Sequence, residues 1–224
     1  MIHLISDENM HLYQEEIVAL HRARAAVFID ELGWELQATD GLEFDEYDDC
    51  RARNMVGFSA EHGVAMGLRF RPTDDFSMLV DHFSHALPAG IRPINDKYTW
   101  ELSRGFCRER GVSRQNLRRK AACMIAPLEF AYESGITRCV GFTDVRMLSF
   151  CYGVGWKLNL LGSAVNYGQG DAVAYEVEVS RNALSDIRNM WGLPVPAYVA
   201  IAALGPGEAS VHVTAERLCR ERPD

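Results

Sequence analysis

Apolar positions set most of the expected elements. Leu12, Ile17, Leu20 and Phe28 recur at helical spacing behind the capping residues Ser6-Asp7-Glu8-Asn9, and Gly33 stops a helix that runs to about Ile29. Residues 55–60 and 64–70 read as a strand pair turning at Glu61-His62-Gly63. Residues 72–97, punctuated by Pro72, Pro88 and Pro93, predict a short helix framed by loops. A strand over 98–107 follows. Gly111-Val112-Ser113 then leads into a long helix ending near Ser134, with Leu117, Ala121, Met124, Leu128 and Ala131 on one face. Residues 137–142 predict a strand, Asp144 caps a helix reaching Tyr152, and 156–161 and 172–179 predict two more strands. Residues 189–224 carry little periodicity and predict a surface tail. Helices alternating with strands and hairpins mean a mixed α/β sheet with helices on its faces.

The 224 residues fit one domain, expected over 1–188 ahead of the tail. An apolar content of 48% is ordinary for a folded chain. No apolar run approaches the roughly 18 residues of a membrane span, and the start shows no secretory signal pattern. A soluble cytoplasmic protein, not inserted in a membrane, is expected. The six cysteines include no CxxC, and the seven histidines no HxxxH or HExxH pair, so buried free thiols and no metal are expected. A net charge of −8 argues against nonspecific binding of nucleic acid. The charge is uneven: residues 1–60 carry −9 and residues 104–157 carry +6. That asymmetry suggests two ligands of opposite charge, or else chance clustering on solvated faces.

Several residues then invite chemistry. Arg24 and Phe28 share a helix face, and an Arg among apolar neighbours needs an anionic partner. In Glu43-Phe44-Asp45-Glu46-Tyr47-Asp48-Asp49, carboxylates alternate with aromatics, and an extended chain puts Glu43, Asp45 and Tyr47 on one side. Arg69 lies on a strand whose other face is core-like, and Glu101-Leu102-Ser103-Arg104 ends another strand. Singly, each has a plain structural reading as an acidic loop, a strand-edge arginine or a salt bridge.

Together they are specific. Arg24-x-x-x-Phe28-x-x-x-x-x-Trp34-x-Leu36, then Glu43-x-Asp45-x-Tyr47-Asp48, with Arg69, Glu101 and Arg104 in order, resembles the signature of the LuxI-type acyl-homoserine-lactone synthases of bacterial quorum sensing. The resemblance spans about residues 1–180. It departs at Ala23, where the family tends to have a larger residue, and at Glu31, where it prefers a basic or amide one.

The resemblance implies a GNAT-like three-layer α/β/α fold with a mixed, mostly antiparallel central sheet. Arg108-Glu109-Arg110-Gly111-Val112-Ser113 independently resembles the R-x-x-G-x-[GA] loop that holds the coenzyme A pyrophosphate at a helix N-terminus, with Ser113 in place of Gly or Ala. The implied substrates are S-adenosylmethionine (SAM) and an acyl thioester on acyl carrier protein or coenzyme A, with no cofactor. The family's reaction is N-acylation of the methionyl amine, then lactonisation that releases methylthioadenosine.

In that reading residues 1–60 form the SAM side and 104–160 the acyl side. Glu101 is the expected base, Asp45 and Asp48 orient the ammonium and sulfonium, and Arg24, Arg69 and Arg104 hold the carboxylate and balance those aspartates. Phe28 and Trp34 pack on the adenosyl group, with Ser103 nearby. Arg108, Gly111, Ser113, Gly141, Phe142 and Met147 are the expected thioester contacts. Gly141 falls where relatives making 3-oxo products often carry Thr, which points to an unsubstituted or branched acyl group. The basic positions Arg114, Arg118, Arg119, Lys120, Arg138, Arg146 and Lys157 are candidates to receive carrier protein or phosphates, or form a solvated face.

One geometric condition follows. In a regular strand Glu101 and Arg104 point to opposite faces, so the strand must bulge or end at Ser103-Arg104-Gly105. Two other readings stay open. A GNAT-type N-acyltransferase for another amine would release no methylthioadenosine, and a non-catalytic binder of SAM or carrier protein would carry a broken charge cluster.

Overall fold

The computed structural model describes residues 2–201 and 212–213. In chain order it contains β1 (Ile2–Ile5), α1 (Gln14–Arg24), the small hairpin β2 (Ala38–Thr39) and β3 (Leu42–Glu43), β4 (Arg53–Ser59), β5 (Gly63–Pro72) and the single turn α2 (Met78–Asp81). Next come β6 (Thr99–Cys107), α3 (Arg114–Glu133), β7 (Arg138–Asp144), α4 (Leu148–Val154), β8 (Leu158–Leu160), β9 (Val165–Asn166), β10 (Asp171–Val177), α5 (Arg181–Trp191), β11 (Tyr198–Ile201) and β12 (His212–Val213). The main sheet runs β12-β11-β1-β4-β5-β6-β7-β10-β8, with β9 beside β10. Its β1–β11 and β6–β7 pairs are parallel and the others antiparallel, which is the mixed, mostly antiparallel sheet expected.

Alternation along the strands builds two cores. Ile5, Val56 and Val64 pack with Leu20, Ala23 and Phe28 under α1. Leu4, Met55 and Ala65 pack on the other face with Ala121, Ile125 and Leu128 of α3 and Leu184 and Ile187 of α5. Gly67 brings α1 close: a Cβ there would lie 2.8 Å from Leu20 Cδ1 and 2.5 Å from Phe106 Cε1. Leu79, Ala86 and Ile94 cover Val140 and Ala174 as a third cluster. Among the described residues no helix is long and apolar enough to cross a membrane.

The first helix ends differently from the expectation. Beyond Arg24 it widens into a π-helical stretch, Ala25–Glu31, in which the Leu32 amide donates to the Val27 carbonyl five residues back. Gly33, at φ +68°, then reverses the chain towards Trp34.

The expected tail over 189–224 is corrected for its described part. Residues up to Trp191 complete α5, capped by the Ser180 hydroxyl, and Tyr198 and Ala200 pair in parallel with Ile2 and Leu4. Glu129 of α3 anchors the return, accepting from the Ala197 amide at 2.6 Å and pairing with Arg188. Residues 202–211 and 214–224 lie outside the described residues.

The strand that had to bulge does so. Ser103 pairs with Arg69 and Phe106 with Gly67, so Arg104 and Gly105 together stand opposite the single residue Leu68. The parity of β6 flips across this point, with Leu102 in the α3 core and Phe106 under α1. Arg104, not the neighbouring glycine, takes the left-handed conformation, at φ +51°. On the other edge, β6 pairs with β7 only from Thr99↔Arg138 to Leu102↔Gly141, and beyond that the two strands part.

Candidate active site

The bulge, the end of α1 and the acidic loop 43–49 meet on the α1 face of the sheet. Arg24 donates through Nε to Glu43 at 2.5 Å and through its terminal nitrogens to Asp48 at 2.7 and 2.9 Å. Arg69 grips Asp45 with both terminal nitrogens, reaches Asp48 at 2.9 Å and donates through Nε to Ser103 Oγ at 3.0 Å. Arg104 donates to Glu43 at 3.1 Å and to Asp45 at 2.8 Å. The contacts close into a ring: Glu43, Arg24, Asp48, Arg69, Asp45, Arg104 and back to Glu43.

The ring sets three guanidinium cations against three carboxylates, so its formal charge is zero. Neutrality is what allows burial. Arg24, Arg69 and Glu43 are each about 1% exposed, and isolated charges at such depth would be severely unfavourable. Burial opposes the charged form of Asp48, but Arg69 and Arg24 overcome it and hold that carboxyl far below the usual range. The acidic loop shapes itself for this: Asp45 accepts from the Tyr47 amide at 2.9 Å, and Asp48 accepts from the Asp45 amide at 3.0 Å.

Glu101 stands beside the ring and outside it. Its two carboxylate oxygens accept from the amides of Met78 and Leu79, at 2.9 and 2.8 Å, at the start of α2. Burial pushes its carboxyl up to about 7, while those amides and Arg69 pull the other way. The Tyr47 hydroxyl donates to Asp81 at 2.9 Å, tying α2 to the acidic loop. Phe28 and Trp34 stack at 4.8 Å between centroids with 18° between planes, and the Arg104 guanidinium lies 5.9 Å from the Phe28 centroid.

Arg24, Phe28, Trp34, Asp45, Asp48, Arg69, Glu101, Ser103 and Arg104 thus come together. Every nitrogen of Arg24 and Arg69 already donates to a protein oxygen, and the two arginines hold Glu43, Asp45 and Asp48 in place. Arg104 is different, because its Nη1 meets only the Met78 thioether sulfur, at 3.6 Å, among the described residues. Glu43 was visible in the sequence as one carboxylate of a run, but not as the bridge between Arg24 and Arg104. Tyr47 was visible in the same run but not its bond to Asp81, and the α2 amides were not legible as part of the site.

The expected thioester residues are spread along the β6–β7 side. Arg108 continues from β6, its amide bonded to the Ala65 carbonyl. Gly111 takes φ +94°, and Ser113 caps α3 by accepting from the Asn116 amide, which explains a serine at that loop position. Gly141 lies on β7 beside Leu102, and a Cβ on it would lie 2.6 Å from the Tyr175 hydroxyl oxygen. Phe142 stacks on Phe83 at 4.2 Å, and Met147 is exposed ahead of α4.

The basic stretch is mostly spent within the fold. Arg138 is buried on Glu176, Arg146 pairs with Asp144, and Lys157 pairs with Asp186. Arg119 holds Glu109, and Arg118 donates to the carbonyls of Trp191 and Gly192. Five of the seven are thus held by partners within the fold.

Comparison with known proteins identifies the family. A profile of the autoinducer synthase family matches residues 8–187. The isovaleryl-homoserine lactone synthase of Bradyrhizobium diazoefficiens is 30% identical over 197 residues, covering 87% of each chain. A CoA-dependent acyl-homoserine lactone synthase, BjaI, solved with SAM and isopentyl-CoA, superimposes with a TM-score of 0.81 at 27% identity over 98% of each chain. The acyl-homoserine-lactone synthase LasI shares the fold at a TM-score of 0.70 and 22% identity, over 83% of this chain and 93% of that one. The chain belongs to the autoinducer synthase family, the acyl-homoserine-lactone synthases, acyltransferases that make a quorum-sensing signal.

Proposed function

We propose that the enzyme joins SAM to a coenzyme A thioester of an unsubstituted or branched acyl group in the cytoplasm, with Glu101 as general base. The observation carrying this is the buried Glu101 carboxyl, held by two backbone amides beside a bulge that brings Arg104 to the same face. A carboxyl near 7 is matched to an α-amine of ordinary pKa, about 8, so proton transfer between them is nearly level. The ammonium gives one proton to solvent by way of Glu101. As the amine attacks the thioester carbon, Glu101 takes the second and returns it to the departing thiolate. An N–C bond forms and the C–S bond breaks.

Beyond Leu102, the edge of β6 has no partner strand on β7, so its backbone can meet the thioester carbonyl and the pantetheine arm. The Arg108–Ser113 loop then receives the pyrophosphate. In the second step the methionyl carboxylate, oriented by Arg104, attacks the γ carbon. The γ carbon–sulfur bond breaks with its electrons going to sulfur, and neutral methylthioadenosine leaves. Trp34 and Phe28 wall the adenosyl group, with a cation–π contribution towards the sulfonium. Asp45 and Asp48, fixed by the ring, supply the negative field that SAM's positive charges meet.

Coenzyme A as carrier is favoured by the likeness to BjaI, and the acyl class by Gly141, whose missing side chain leaves its space to Tyr175. A cytoplasmic site of action fits free thiols at Cys50, Cys107, Cys123, Cys139 and Cys151. Incubation with SAM and a panel of acyl-CoA and acyl-carrier-protein thioesters tests the reading by mass spectrometry. Methylthioadenosine and acyl-homoserine lactone should appear together, fastest with a short branched or unsubstituted acyl-CoA. Acylated amine without methylthioadenosine would overturn it.

A further inference from the structure

Arg71 lies two residues beyond Arg69 on the same face of β5 and pairs in register with Glu101 of β6. It is buried, and it touches no member of the charge ring. Its guanidinium grips Asp49 through Nε at 3.1 Å and Nη2 at 2.7 Å, and Asp75 through Nη1 at 2.9 Å and Nη2 at 2.8 Å. Nη1 also donates to the carbonyls of Pro72 and Phe76, each at 2.9 Å, and the guanidinium lies 4.0 Å from the Phe76 ring centroid. Arg51 clasps the same segment from outside through Asp74 and Asp75. Two residues after Phe76, the chain presents the Met78 and Leu79 amides to Glu101.

We propose that Arg71 is a positioning residue that fixes the 75–79 segment against the acidic loop and thereby holds the Met78 and Leu79 amides on Glu101. It rests on the reading of Glu101 as base. A planar fork that satisfies two carboxylates and two carbonyls while stacking on Phe76 fixes direction as well as distance, which an ammonium cannot do. The other groups facing Glu101 are Arg69 from β5, Asp81 from α2, Tyr47 from the acidic loop and Tyr175 from β10. Of these, Tyr47 also packs on Phe76, at 5.3 Å between ring centroids, and bonds Asp81. Arg71, unlike them, grips the backbone of the segment, at the Phe76 carbonyl. Loss of the two amide donors leaves the carboxylate less stabilised, so its proton should bind more tightly.

The test compares wild type with Arg71→Met, the milder Asp75→Asn and Glu101→Gln, all in the full chain. The expected result for Arg71→Met is a kcat lower by about tenfold, an acidic limb of kcat moved up by about half a pH unit, and an almost unchanged KM for SAM. Amide hydrogen exchange at Met78 and Leu79, read by NMR, should speed up by about tenfold or more, with Asp75→Asn showing smaller changes of the same sign. Lower thermal stability with the pH limb and both amides unmoved would overturn the role of Arg71. Full activity of Glu101→Gln would instead overturn Glu101 as base, and the catalytic meaning of Arg71 with it.

Discussion

Arg104 reaches the same face as Glu101, three positions earlier on its strand, because its own backbone is left-handed at φ +51°. A non-glycine residue in that region stores strain, and here the strain coincides with the only ring arginine that has a nitrogen to spare for substrate. Arg104→Lys keeps the charge but cannot span Glu43 and Asp45 while presenting a third nitrogen. We expect kcat/KM for SAM to fall by about 100-fold, read by steady-state release of methylthioadenosine.

Glu43 should matter more for folding than its single charge suggests. It is buried between Arg24 and Arg104, so Glu43→Gln leaves the ring with an unbalanced cation. The expected loss is about 3–5 kcal/mol of stability, seen as a lower urea midpoint. A loss below about 1 kcal/mol would mean that water reaches the ring freely.

The pH dependence follows from Glu101. As a base it must be ionised, so kcat should rise with pH through about 7, and Glu101→Gln should abolish the acylation that this limb reports. Stability runs the opposite way. A carboxyl whose folded pKa is raised above its unfolded value favours the folded state fully below about 4.3, and that contribution is lost as pH rises through about 7. Denaturant titrations between pH 5 and 8 should therefore show stability falling across the interval in which activity rises.

Gly141 and Tyr175 form a coupled pair. A Cβ at 141 would lie 2.6 Å from the Tyr175 oxygen and 3.0 Å from the Leu102 carbonyl oxygen, so Gly141→Ala should cost about 1–3 kcal/mol. Adding Tyr175→Leu makes room for the methyl group, and the double variant should be more stable than additivity predicts. Additive effects in a thermal-denaturation cycle would show that the two positions are independent.

Trp34 should act on SAM alone. Removing its face from Phe28 in Trp34→Ala is expected to raise KM for SAM by about tenfold, with KM for the thioester little changed. Equal effects on both substrates would place the indole at the acyl group instead.

Much of this was legible from the chain. α1, the β4–β5 hairpin, β6 and α3 have strong periodicity and clear turns, and the need for a distortion at Ser103-Arg104-Gly105 followed from strand alternation alone. β1 and β11 were missed because four residues are too few to display a period, and their parallel pairing joins residues 2–4 to residues 198–200. α5 was missed although Ser180 caps it and Ala183, Leu184 and Ile187 form its buried face. The ring was half visible. Its members could be named from their order, but Glu43 and Arg104 are 61 positions apart, and only the fold decides which carboxylate answers which guanidinium. Arg71 had no local signal at all, since its meaning lies in residues 75–79 and 101.

The neutrality of the ring also bears on how a turnover ends. SAM enters carrying an ammonium, a carboxylate and a sulfonium, each of which has something to hold in a field of fixed guanidinium and carboxylate groups. Acylation removes the first charge, and ring closure removes the other two together, leaving an uncharged lactone and an uncharged thioether. Because the six protein charges already satisfy one another, they have little left with which to retain those products. On the proposed reading the chemistry thus removes the charges by which SAM is held, and release of the products asks for no broken salt bridge within the ring.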